Sequence, residues 1–181
     1  MSRPTAPAPA KLVIGVFTAE PDLVVPVAER LCSDFGGIDL TSNWLRFDYT
    51  DYYTPEMGTG LRRRMMAFKK LIAQDDIAGI KHATNAIESI FAAGENRRVN
   101  IDPGYLLRER FVLATGKNFS HRIYIGDGMY ADLTLVYRKG AFRSLPWTYP
   151  DYAAGDMLDF LQRVRSKYIV DLKSAEERHH D

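Results

Sequence analysis

LRRRMMAFKKLI, residues Leu61–Ile72, can be read two ways, and the choice sets the fold. Leu61, Met65, Phe68 and Ile72 recur at helical spacing, while Met66 and Phe68 suit the second strand of a hairpin. Just upstream, Asn43 to Tyr53 (NWLRFDYTDYY) alternates aromatic and polar residues like a strand, and the loop after it carries Pro55, Gly58 and Gly60. A returning loop favours strand for Leu61–Ile72.

Working outward, Lys11 to Thr18 (KLVIGVFT) is continuous, apolar and β-branched, the pattern of a central strand covered on both faces. Pro21 suits a first helical turn, and Val24, Val27, Ala28, Leu31 and Phe35 form a stripe that Gly36 and Gly37 end. Cys32 lies beside that stripe and reads as a buried, inert thiol. Asp75 or Asp76 caps a second helix with Ile77, Ile80, Thr84, Ile87 and Phe91 on one face. Arg97 to Ile101 is a short strand, closed by an Asp102-Pro103-Gly104 turn. The order is then β-α-β-β-α-β, a ferredoxin-like core in an α+β protein. An antiparallel β-meander extends it through Arg108–Thr115, Phe119–Ile125 and Met129–Tyr137, and a C-terminal helix follows from about Ala153 to Leu172. Residues 1–10, rich in proline and small side chains, are expected to be a disordered leader, 11–172 a single domain and 173–181 a flexible charged tail.

Composition limits the function classes. Apolar residues make up 46% and Lys+Arg exceeds Asp+Glu by 24 to 23, so there is no global field to attract nucleic acid. The apolar run Leu12–Phe17 is too short to span a membrane or form a signal core, and the one cysteine makes no internal disulfide, so a cytoplasmic protein is expected. No zinc motif, phosphate loop, guanine-reading Asn-Lys-x-Asp or nucleophile elbow is present, and no cofactor is identified. A magnesium site built from Asp48, Glu56, Asp102 and Asp132 stays open, since such sites have no fixed spacing. The tail His179-His180-Asp181 reads as at most an adventitious chelator. Gly58-Thr59-Gly60 before Arg62, Arg63 and Arg64 would make an anion nest if Leu61 opened a helix; otherwise it is a turn beside a solvated basic strand.

The hairpin through Gly126-Asp127-Gly128 has two registers. A two-residue turn sets His121 near Asp132, while a three-residue loop sets Arg122 opposite Asp132. Only the second gathers Phe119, His121, Ile123 and Ile125 with Met129, Ala131, Leu133 and Leu135 on one buried face, leaving Ser120, Arg122 and Tyr124 on a polar one. The Arg122–Asp132 pair is therefore expected, on an exposed face where it adds about 0–1 kcal/mol.

The strings YYTPEMG (Tyr52–Gly58), RRVNIDPGYL (Arg97–Leu106), ATGKNFSHRIYIGDGMYADLTL (Ala114–Leu135) and PWTYPDY (Pro146–Tyr152) resemble the bacterial and archaeal family catalogued as domain of unknown function 4416, over about Lys11 to Leu172. The resemblance implies no activity, substrate or catalytic residue.

The residues themselves point to an enzyme or ligand-binding domain for a small anionic, phosphate- or nucleotide-like molecule, held where the polar hairpin face, the YYTPEMG loop and the PWTYPDY loop converge. Arg122 would contact the anion with Asp132 orienting it and Lys117 adding charge. Glu56 or Asp48 would serve as general acid or base. Tyr53, Trp147 and Tyr149 would wall the site, the last two stiffened by Pro146 and Pro150. The alternatives are an RNA-binding module that tracks phosphates with Arg62–Arg64, Arg97 and Arg98, and a non-catalytic protein that binds partners through the same aromatics.

Overall fold

A computed structural model describes residues 3–177 as one mixed α+β unit built on a nine-stranded antiparallel sheet. In chain order the elements are β1 (Ala10–Thr18), α1 (Val24–Phe35), β2 (Ile38–Thr41), β3 (Leu45–Arg46), α2 (Thr54–Met57), β4 (Arg62–Ile72), α3 (Ile77–Ile90), β5 (Asn100–Leu106), β6 (Arg110–Thr115), β7 (Arg122–Gly126), β8 (Met129–Arg138), β9 (Ala141–Ser144) and α4 (Gly155–Glu177). The neighbours run β2-β4-β1-β5-β6-β8-β7; β3 also pairs with β4, and β9 with β8.

Every residue of β1 is buried. Successive side chains of a strand face opposite ways, so both sheet faces must be covered there. Lys11 Nζ reaches Asp171 of α4 at 2.7 Å, which places α4 over the face of Lys11, Val13, Gly15 and Phe17. Leu12, Ile14 and Val16 face the other way, into a core that α1 and α3 complete with Val27, Leu31, Ile80 and Ile87.

Leu61–Ile72 is a strand, as its returning loop implies: Arg62–Ile72 is β4, paired with β1 from Thr18↔Arg62 to Ala10↔Ile72. Gly58 and Gly60, at φ +78° and +76°, turn the chain into it, and no helix opens at Leu61. Arg63 in that stretch is buried rather than part of a solvated basic strand.

Several elements differ from expectation. The strand read over Asn43–Tyr53 is reduced to β3, and β2 lies on the same edge of β4 just before it. Between them the Ser42 hydroxyl accepts the Met65 N–H at 3.0 Å, so a side chain interrupts the ladder. The aromatic periodicity beyond Arg46 belongs to a loop whose rings gather on Phe17: Phe47 stacks on it at 4.3 Å and Tyr53 meets it edge-on at 4.8 Å. Asp102-Pro103-Gly104 is no turn but the middle of β5. Cys32 is half-buried. The chain from residue 3 to Pro9 has no regular structure, yet the Ala8 and Pro9 carbonyls accept bonds from Gln74 and Tyr168 at 2.9 and 2.7 Å. Lys173 to Glu177 continue α4, and the tail motif His179-His180-Asp181 lies outside the described residues.

The hairpin register is the expected one, with Arg122 opposite Asp132. Its buried face is not: Phe119 is 64% and Ile123 71% exposed, because β7 is the last strand on its edge. The two registers make His121 and Arg122 alternative partners of Asp132, yet both reach it. His121 precedes β7 and so escapes strand alternation.

Glycine plays opposite parts at two positions. A Cβ on Gly104 would sit 2.5 Å from the Val112 carbonyl oxygen, on backbone that cannot yield, whereas one on Gly79 in α3 meets nothing within 4 Å. Gly104→Ala should therefore lose about 1–3 kcal/mol by overpacking, and Gly79→Ala gain about 0.5–1 kcal/mol in a helix interior. Thermal unfolding should show opposite shifts of roughly 2–4 °C per kcal/mol; equal shifts would contradict this packing.

Candidate functional site

Pairing between β5 and β6 covers only Gly104↔Leu113 to Leu106↔Phe111. The Leu107 N–H donates to the Arg110 carbonyl at 2.9 Å, so by strand alternation Tyr105, Pro103 and Ile101 also turn their backbone groups toward β6. Proline has no N–H to give, and the ladder stops at Pro103. Beyond it the strands part, and α3 takes up the freed groups of Ile101. Lys81 Nζ donates to its carbonyl at 2.8 Å, and Glu88 Oε1 accepts its N–H at 2.6 Å.

The gap is the mouth of a cleft of about 590 Å³ lined from both sides of the sheet. Five cationic side chains (Arg63, Lys81, Arg97, Lys117, Arg122) and four carboxylates (Glu88, Asp102, Asp132, Asp151) face it, with Tyr49, Tyr52, Tyr53, Tyr149 and Tyr152 as aromatic walls.

At the floor, Arg63 is 3% exposed. Its guanidinium lies over Phe17, Phe47 and Tyr152, 4.6–5.2 Å from their ring centres. It pairs with Asp151 through Nη1 and with Asp102 at 3.3 Å through Nη2. Burial pushes the Tyr53 hydroxyl up to about 12 and the Tyr152 hydroxyl higher still, so both are neutral donors at ordinary pH. Burial likewise raises the Glu88 carboxyl above the ordinary carboxylate value, against the pull of Lys81.

Asp132, Lys117, Arg122, Tyr53 and Tyr149 all line the cleft, together with Tyr52. Asp132 accepts from Arg122 Nε at 2.9 Å, His121 Nε2 at 3.1 Å and Thr134 Oγ1 at 3.3 Å. The Arg122–Asp132 pair is buried, both side chains 8% exposed, and not on a solvated face. Arg122 also donates to the Lys117 carbonyl at 2.9 Å and to Tyr149 Oη at 3.4 Å, so its fork is engaged on three sides and braces the rim. Lys117 is exposed; its ammonium bonds Tyr52 Oη at 3.2 Å and lies 4.6 Å from that ring's centre.

Three expected residues stand apart from the cleft lining. Asp48 is exposed and turned to Arg46. Glu56 is gripped by both arms of Arg97 at 2.7 Å, and these bonds hold its carboxyl below the usual range; it clamps α2 to the start of β5. Trp147 stacks on His121 at 5.1 Å and spends its indole N–H on the Leu133 carbonyl at 2.8 Å. The carboxylates of the open magnesium reading are not gathered, because Asp48, Glu56, Asp102 and Asp132 each turn to a different arginine. Among the described residues no three His, Cys, Asp or Glu side chains form a metal-holding group.

Lys81 and Glu88 also line the cleft, and no sequence motif marks them. Their signal is a polar series at residues 81, 84, 85 and 88 of α3, spaced like the apolar stripe and beside it.

A sequence model described as Domain of unknown function (DUF4416) matches residues 8–168. No curated protein and no solved structure matches the chain. No helix among the described residues is long and apolar enough to cross a membrane.

Glu88 yields a pH test. A carboxyl raised in the fold contributes its stability below the unfolded value near 4.5 and loses it as pH climbs through the raised one. Glu88→Gln keeps an acceptor for the Ile101 N–H but cannot ionise. Its melting temperature relative to the parent should therefore move upward between pH 4 and pH 8; a flat or falling difference would show that Glu88 is stabilised as a carboxylate.

Proposed function

Because the chain belongs to the DUF4416 family, which assigns it no chemistry, we propose its function from the cleft: it is a binding domain for a small anion-bearing molecule, phosphate- or nucleotide-like. One observation carries this reading. At the rim of a cleft of ligand size stands Lys117, whose ammonium has a single hydrogen-bond partner among the described residues, the Tyr52 hydroxyl. A lysine at a cleft mouth, backed by tyrosine rings, offers an anion a charge that no protein carboxylate already neutralises.

Arg122 supports this role indirectly. Held by Asp132, it fixes the Lys117 carbonyl and the Tyr149 hydroxyl, and so sets the shape of the rim. The RNA alternative has less to stand on, because three of the five arginines it needs are committed elsewhere: Arg63 is buried, Arg97 holds Glu56 and Arg98 pairs with Glu20. The fold reading is supported in the same way. The order β2-β4-β1-β5, antiparallel throughout with α1 and α3 as crossovers, favours a ferredoxin-like core.

Lys117→Gln should weaken binding of a nucleoside 5′-monophosphate at least tenfold, about 1.4 kcal/mol, in titration calorimetry. An exposed substitution of this kind changes stability by no more than about 0.5 kcal/mol, so the melting temperature should hold. Unchanged affinity would move the anion site away from the rim.

A further inference from the structure

Strand β6 holds one side of β8 from Tyr130 to Val136, so β7 and β9 must share the other side, in line with each other. Most of that outer edge is protected. Around β9 stand the exposed cations Arg138, Lys139 and Arg143. Between β9 and β7, the Trp147 indole N–H and the Thr148 hydroxyl donate to the Leu133 and Thr134 carbonyls at 2.8 and 2.6 Å, so side chains cap the bare stretch of β8. On the far edge of the sheet β2 and β3 are four and two residues long. Charge, caps and shortness are the common ways a protein keeps a strand edge from pairing with another chain.

β7, at five residues, has neither charge nor cap on its free edge. Its one charged side chain, Arg122, is 8% exposed and held by Asp132. Phe119 just before it, Ile123 and Tyr124 are instead 64%, 71% and 60% exposed. Arg122 spends its N–H on the Phe119 carbonyl at 3.0 Å, so its backbone groups face away from β8. By alternation the Tyr124 N–H and carbonyl face away as well, and no strand among the described residues receives them.

Those two free groups call for an antiparallel strand, and one such strand is present wherever the protein is: β7 of a second copy, turned about a twofold axis at Tyr124. In that register the Tyr124 residues of the two copies exchange both hydrogen bonds. Ile123 then lies across from Ile125 of the second copy, and Arg122 across from its Gly126. Apolar residues meet apolar ones and no charge opposes its like. The surface is small, three exposed side chains and five residues of backbone, below the roughly 800 Å² per partner of a standard interface, so the pairing is reversible.

We propose that β7 is a self-association edge: two copies of the chain pair their β7 strands antiparallel across Tyr124 and join their nine-stranded sheets into one.

Sedimentation of the full chain from about 10 µM to about 1 mM should show a mass that rises from one copy toward two. A monomer throughout overturns the proposal and leaves the edge to a strand of another protein. Ile123→Lys sets a charge on this edge at an exposed position, so it should weaken the dimer about tenfold and move the melting temperature by no more than about 2 °C. A dimer that Ile123→Lys leaves intact has its contact elsewhere, which also overturns the proposal. Single cysteines in a Cys32→Ala background read the register. Antiparallel residues that exchange both bonds have Cα atoms about 5.5 Å apart, within disulfide reach, so Tyr124→Cys should be captured as a covalent dimer on mild oxidation. Ile123→Cys would stand about 8 Å from its own copy and should be captured about tenfold more slowly. Equal rates, or a faster one at Ile123, overturn the pairing across Tyr124.

Discussion

Proline lacks an N–H, and much of the molecule's shape follows from where that lack falls. Pro103 sits in β5 with its nitrogen turned toward β6, and pairing between the two strands goes no further than Gly104. Had the ladder continued, Ile101 would bond to β6 and the sheet would be closed across its middle. With the strands parted, the Ile101 backbone must be satisfied some other way, since an unpaired buried amide is costly. Lys81 and Glu88 reach over from α3 to do so, and their charges come to line the opening. One missing donor thus creates the cleft and also fixes which helix faces it.

The second constraint is charge in the interior. Burying an ion costs several kcal/mol even after relaxation, and an apolar filler at Arg63 would serve stability as well or better. Arg63 is tolerated because three aromatic rings and two carboxylates surround it, an arrangement assembled from β1, β4, β5, the loop before α2 and the segment before α4. These five parts of the chain meet at Arg63. The ion pairs therefore bind the α4 side of the molecule to the sheet, and they keep the floor of the cleft polar where packing alone would have filled it.

How much of this the sequence could reveal depends on the range of the cause. The strand at Leu61–Ile72 and the Arg122–Asp132 register follow from local turn chemistry and from keeping polar and apolar faces apart, and both hold in the structure. Exposure of Ile123 does not follow from pattern, because alternation says which residues share a face but not whether anything covers it. Asp102-Pro103-Gly104 has the composition of a turn, and pairing with the neighbouring β1 keeps it extended. Of the expected site, Asp132, Lys117, Arg122, Tyr53 and Tyr149 share the cleft. Asp48 is spent on Arg46 two residues before it, while Glu56 is spent on the distant Arg97 and Trp147 on a backbone carbonyl, and the last two partners are beyond what spacing can show.

Rim and floor differ in the kind of chain that builds them, and this divides their work. Arg63 stands on β4 between β1 and β3, Asp102 stands on β5 against β1, and an ion pair joins the two. Lys117 stands on a loop, its place set by the Arg122 bond to its carbonyl and by the Thr115 hydroxyl on its N–H. A rigid floor can discriminate between groups that differ by one donor, because it cannot rearrange to forgive a mismatch. An exposed ammonium on a flexible stem discriminates little but acts over several ångströms. The cleft has a sheet-borne floor and a loop-borne rim joined by tyrosine walls, because the backbone that carries them changes from sheet to loop along its length.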